Sequence, residues 1–150
     1  MNFKRVAASL AAVGLLISFP ASAGNFSQAE KLRRLDIMLM VTGLRCRNTA
    51  DNFTREYGRF TTAHLSELNA AAATLKQELT ARHGAAGANK ALDRLSVQMA
   101  NTYGQGHPWL NCGQLKQVAG SLAVMRGGAA LAEAANDLLE DRSHQLAWLR

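Results

Sequence analysis

Residues able to do chemistry are few in this chain, and they lie far apart. Tyr57, Phe60 and His64 follow one another at helical spacing, which would set a phenol and an imidazole on one face, poised to exchange protons at the mouth of a pocket. A histidine on an apolar stripe is more often a hydrogen-bonded core residue. His107 and Trp109 flank Pro108 in the run Gly104-Gln105-Gly106-His107-Pro108-Trp109, where a shaped turn just before Cys112 could present both rings to a partner. The favoured reading is that Trp109 plugs the end of a helical bundle. Arg45 and Arg47 flank Cys46, with Arg55 and Arg59 following, and clustered guanidinium groups suit an anion. Solvated arginines at helix ends would give the same pattern.

Other chemistries lack their residues. The four histidines, His64, His83, His107 and His144, show no H-x-x-x-H spacing, so no metal ligand set is expected. Glycoside cleavage needs two carboxylates about 5 to 10 Å apart across a groove. Glu56 and Glu67 share one side of a helix, but eleven positions of helical rise separate them by about 16 Å. No G-x-S-x-G elbow is present. The Gly104-x-Gly106 turn lacks the third glycine and the strand that a phosphate cradle requires. No catalytic residue, metal or cofactor is therefore expected.

The elements that must position these residues all read as helices. Ser27-Gln28-Ala29-Glu30 has the form of a capping box, after which Leu32, Leu35, Leu39, Thr42 and Cys46 fall on one face. The pattern lapses over Arg45 to Asn52, where Asn48, Thr49, Asp51 and Asn52 are candidate caps. From about Ala50 the stripe Phe53, Tyr57, Phe60, His64, Leu68, Ala71, Leu75 and Leu79 predicts one long helix that stops at Arg82-His83-Gly84. A short connection over residues 84–89 precedes a helix carrying Leu92, Leu95, Met99 and Tyr103. Leu115, Val118, Ala119, Leu122 and Met125 form a fourth stripe, ended by Gly127-Gly128, and Leu131, Ala134, Ala135, Leu138 and Leu139 form a fifth. Trp148 is the one large apolar anchor of the polar tail. The expected fold is all-α, a compact bundle of four to five helices.

Residues 1–23 read as a cleavable signal peptide. Lys4 and Arg5 precede the apolar run from Val6 to Phe19, and Ala21-Ser22-Ala23 offers a small-x-small cleavage site. At about 14 residues the run falls short of the roughly 20 that cross a bilayer. The expected product is a single helical domain over residues 24–150, exported to the periplasm and without stable membrane insertion. In an oxidising compartment the two cysteines, Cys46 and Cys112, are expected to form one disulfide. The net charge of +6 includes Lys4 and Arg5, so the mature chain is only mildly basic, and its positive charges are scattered rather than gathered on one face. Nucleic acid is not an expected partner.

Leu35-Asp36-Ile37-Met38-Leu39-Met40, Leu44-Arg45-Cys46-Arg47, Phe53-x-x-x-Tyr57-x-x-Phe60 and Tyr103-Gly104-Gln105-Gly106-His107-Pro108-Trp109-Leu110-x-Cys112 together resemble a family of small exported helical proteins of Gram-negative alphaproteobacteria. The resemblance spans roughly residues 26 to 120. It implies export and a helical fold, and it transfers no catalytic residue. The label S-adenosylhomocysteine hydrolase attached to some members does not suit these residues, because no G-x-G-x-x-G follows a strand and no βαβ alternation exists. The role expected from the residues is non-catalytic binding of an envelope component, another protein or a small anion, around Cys46 and the Gly104 to Trp109 turn. An enzyme using His64, Tyr57 or His107 as acid or base, and a periplasmic holdase, are the alternatives.

Overall fold

The computed structural model describes residues 26–139. The leader over residues 1–23, His144 and the Trp148 anchor lie outside the described residues. Five helices follow one another: α1 (Gln28–Cys46), α2 (Thr54–Ala63), α3 (Leu65–Tyr103), α4 (Cys112–Val124) and α5 (Gly128–Leu139). No strand occurs among the described residues.

The first helix is the hub. Ser27 caps it, its hydroxyl oxygen accepting the Glu30 N–H at 3.2 Å. The reciprocal half of the expected capping box is missing, because the Glu30 carboxylate is held by Arg34 one turn on, at 2.8 Å. Leu32, Leu35, Leu39, Thr42 and Cys46 are all buried, as their spacing requires, and Ile37 and Met38 widen the buried face. This breadth lets α1 touch each of the other four helices. The buried Thr42 hydroxyl is satisfied within α1 by donating to the Met38 carbonyl at 2.7 Å. Phe53 packs on α1 where Gly43 has no side chain, its ring 3.4 Å from the position a Cβ would take. Shortening a wholly buried side chain of this face, such as Leu35 or Leu39, to Ala would cost about 2–5 kcal/mol.

The lapse after Arg45 is a true break. Thr49 donates through its N–H and its hydroxyl to the Cys46 carbonyl at the end of α1, and Asn52 Nδ2 donates to the Arg47 carbonyl at 2.8 Å. The Asn52 side-chain oxygen then accepts the Thr54 N–H at 2.9 Å, opening α2. A single side chain thus ends one helix and begins the next.

The long helix expected from residue 50 to residue 83 is in fact two, α2 and the start of α3, with His64 outside both (φ −116°, ψ 22°). The stripe survives because only one residue leaves the helix. Backbone bonds from the His64 N–H to Phe60 and from the Leu68 N–H to His64 carry the ladder across the corner. Phe53, Phe60, His64, Ala71 and Leu75 all remain buried.

The connection expected over residues 84–89 shrinks to Gly84 alone, whose φ of 72° and ψ of 170° interrupt α3. Only glycine adopts that region readily. Ala85, Ala86, Ala88 and Asn89 stay helical, consistent with the strong helix preference of alanine. The two halves of α3 form a hairpin. Leu75 and Leu79 from one half and Ala91 and Leu95 from the other line a single cleft with Glu30 and Arg34 of α1.

Asn111 caps α4 through a full capping box with Gln114, both bonds 2.9 Å long. Cys112 is therefore the first residue of α4. Its disulfide with Cys46 spans 5.8 Å between Cα atoms and joins positions 66 apart in sequence, tying the end of α1 to the start of α4.

Candidate functional site

The disulfide brings two turns to one end of the molecule: the break between α1 and α2, and the segment from Gly104 to Asn111 that leads into α4. Arg45 lies against the second turn, its Nε 3.3 Å and Cδ 3.7 Å from the point a Cβ would occupy on Gly106. Gly106 has φ +111°, so a side chain there would be strained and would also crowd Arg45. Asp51 faces the first turn of α4, its Oδ2 3.3 Å from the corresponding point on Gly113. The carboxylate thus lies at a helix start, where negative charge is favourable. Arg45 and Arg47 are both exposed, and no carboxylate among the described residues pairs with either.

His107 fixes the second turn from inside. Its Nδ1 accepts the Trp109 N–H at 3.5 Å, so Nε2 carries the proton and donates to the Leu138 carbonyl at 2.9 Å. The ring stacks on Tyr103 at 5.5 Å between centroids and meets Trp109 edge-on at 4.5 Å. The imidazole is buried and the indole half-buried. Burial pushes the Tyr103 phenol pKa up, with the charge of Arg34 opposing.

Tyr57 and His64 do not meet as an acid–base pair. Tyr57 donates to Asp36 Oδ1 at 2.9 Å, while Arg33 holds Oδ2 at 3.3 Å. Burial and then the Asp36 charge push the phenol far above its ordinary pKa. His64 turns the other way and donates from Nε2 to the Leu122 carbonyl of α4 at 2.8 Å. Its Nδ1 is buried without a hydrogen-bond partner, and Glu67 Oε1 stands 3.9 Å off, outside hydrogen-bond reach. A hydrogen bond from Ser66 lowers the Glu67 pKa and keeps that carboxylate ionised. Phe60 neighbours both rings, at 6.4 Å from Tyr57 and 5.4 Å from His64.

Two polar groupings escaped the sequence reading. Arg34 donates to Glu30 through Nε at 2.9 Å, reaches Met99 Sδ through Nη1 at 3.4 Å and lies 3.9 Å over the Phe26 ring. The i, i+4 spacing of Glu30 and Arg34 was a usable signal for the pair, though not for its tertiary neighbours. The Asp36–Tyr57 bond joins residues 21 apart and has no local signature.

Between α2 and α4 runs an open groove of about 630 Å³ lined by Arg55, Gly58, Arg59, Thr62, Ala63, Ala123 and Val124. Among the described residues no group of three or more His, Cys, Asp or Glu side chains could hold a metal ion. No helix among them is long and apolar enough to cross a membrane. No protein-family model, no curated protein and no solved structure matches this chain.

Proposed function

We propose that this chain is an exported periplasmic protein of the alphaproteobacterial family it resembles, and that it acts by binding rather than by catalysis. Its binding surface is the disulfide-anchored end, where Arg45, Arg47 and the Gly104 to Trp109 turn address an anionic envelope component or protein. The observation that carries this reading is the seating of Arg45 against Gly106 beside two turns that the Cys46–Cys112 bridge holds together. Such an end is rigid and positively charged, so little ordering entropy is lost on binding.

The direction taken by the acid–base candidates supports the same view. Tyr57, His64 and His107 spend their N–H and O–H groups on Asp36, the Leu122 carbonyl and the Leu138 carbonyl. They serve as internal ties. The groove between α2 and α4 contains none of the three.

The test places a photo-crosslinking residue at the exposed Gln105 and compares the parent with an Arg45→Glu, Arg47→Glu variant in intact cells. Capture of one envelope component by the parent and its loss in the variant is the expected result. Equal capture by both, or recovery of the protein in the cytoplasm with residues 1–23 attached, would sink the proposal.

A further inference from the structure

The groove between α2 and α4 has a chemical character distinct from the disulfide end. Its exposed lining is mostly apolar, with Ala63 of α2 and Ala123 and Val124 of α4 beside Thr62 and the uncovered Gly58. Val124 is 73% exposed, the most exposed large apolar side chain among the described residues. Along the α2 edge stand Arg55 and Arg59, one helical turn apart. Arg55 is 84% exposed, with only a long 3.6 Å contact to Glu56. Arg59 pairs with no carboxylate among the described residues, and its Nη2 lies 4.0 Å from the Cβ position of Gly120 on α4. Two guanidinium groups therefore border an open apolar groove.

This combination selects a ligand. A polyanion would leave the apolar bed unused, a neutral oil would leave the arginines without a counterion, and a cation would be repelled. The volume of about 630 Å³ falls within the roughly 300–1,000 Å³ usual for small-molecule sites. We propose that the groove binds a free single-chain anionic amphiphile, a fatty carboxylate, with its head between Arg55 and Arg59 and its tail on Gly58, Ala63, Ala123 and Val124. Charge complementarity along one edge and apolar surface along the other identify this occupant.

Gly58 supplies a discriminating variant. A Cβ at that position meets nothing within 4 Å, so Gly58→Leu starts into open space and occupies part of the groove, and it replaces a poor helix former with a good one. Decanoate is titrated into the full processed chain and followed by calorimetry and by backbone amide shifts. The expected result is saturable binding with shifts confined to α2 and α4, tightening about two- to fourfold for each methylene added between octanoate and dodecanoate. Decanol and decyltrimethylammonium should bind about two- to fivefold more weakly, the cost of a lost or reversed pairing with solvent-exposed guanidinium groups. Gly58→Leu should weaken binding several-fold, by obstructing the bed of the tail, while resisting urea at least as well as the parent. Arg55→Gln with Arg59→Gln should erase the preference for decanoate over decanol, whereas Arg45→Glu with Arg47→Glu should leave it unchanged, which separates this site from the disulfide end. Undiminished binding by Gly58→Leu, or equal affinity for decanol and decanoate, overturns the proposal. So does retention on phosphatidylglycerol vesicles without binding of free decanoate, which would make the groove a membrane-facing patch. A concentration-dependent dimer dissolved by Gly58→Leu, again without decanoate binding, would overturn it by assigning the groove to a second copy.

Discussion

Reduction of the Cys46–Cys112 bridge should remove a large share of the stability of the domain. The two cysteines stand 66 positions apart, and closing a loop of that length withholds about 15 cal/mol/K of entropy from the unfolded chain, or about 4 kcal/mol at 25 °C. Small domains hold only about 5–15 kcal/mol in total. Cys46 is 2% exposed, so its thiol stays packed in the reduced native state and the comparison isolates the loop rather than a cavity. The assay is urea unfolding of the chain, oxidised and reduced, followed by helical circular dichroism. With a slope near 2 kcal/mol/M, the midpoint should fall by about 2 M, and the unfolding equilibrium constant should rise by about three orders of magnitude. A difference below about 1 kcal/mol between the two forms would refute the reasoning. It would mean that contacts among the five helices already hold both ends of the loop in the unfolded ensemble.

Tyr57→Phe should cost about 1.5–3 kcal/mol in the same unfolding assay, since it removes a hydrogen bond to a carboxylate. The folded-state pKa of Tyr57 is raised above the ordinary tyrosine value of about 10. The stability it contributes is therefore complete below that pH and is lost as the pH climbs through it towards the folded value. Ultraviolet titration of phenolate should show fewer tyrosines ionising in the native chain than in urea at pH 11. Gly84→Ala should destabilise by about 1–3 kcal/mol, although no atom lies within 4 Å of the new methyl, because the cost is entirely in the backbone angle; thermal unfolding reads it. His64→Leu should cost about 1–3 kcal/mol in urea by stranding the Leu122 carbonyl, with no loss of helix in circular dichroism.

How much of this molecule is legible in its residues depends on how local each feature is. The buried face of α1 could be read because Leu32, Leu35, Leu39, Thr42 and Cys46 keep one period through 15 residues, and periodicity survives any tertiary arrangement. The bridge was readable because a chain with two cysteines allows only one internal pairing. The corner at His64 was hidden for the opposite reason. It carries no glycine or proline and displaces one residue only, so the apolar stripe passes through it in phase. Gly84 was recognisable as a stop, yet one residue at positive φ suffices to reverse the chain, and the alanines after it need no loop. Within the candidate site, the clustering of arginines near Cys46 was visible, but the seating of Arg45 on Gly106 joins segments about 60 residues apart. Tyr57 and His64 looked like partners because helical spacing places them on one stripe. It cannot show that one hydrogen-bonds to α1 and the other to α4.

The brace between α1 and α4 encloses α2, the whole α3 hairpin and the turn with His107 in one covalent ring. Exposed Arg82 and Lys90 lie near the hairpin tip and offer trypsin a place to cut within that ring. Severing the backbone there would yield two polypeptides that still travel as one particle, with α1 and α4 in register, until a reductant parts them. The ring thus makes the molecule tolerant of nicking at its far tip.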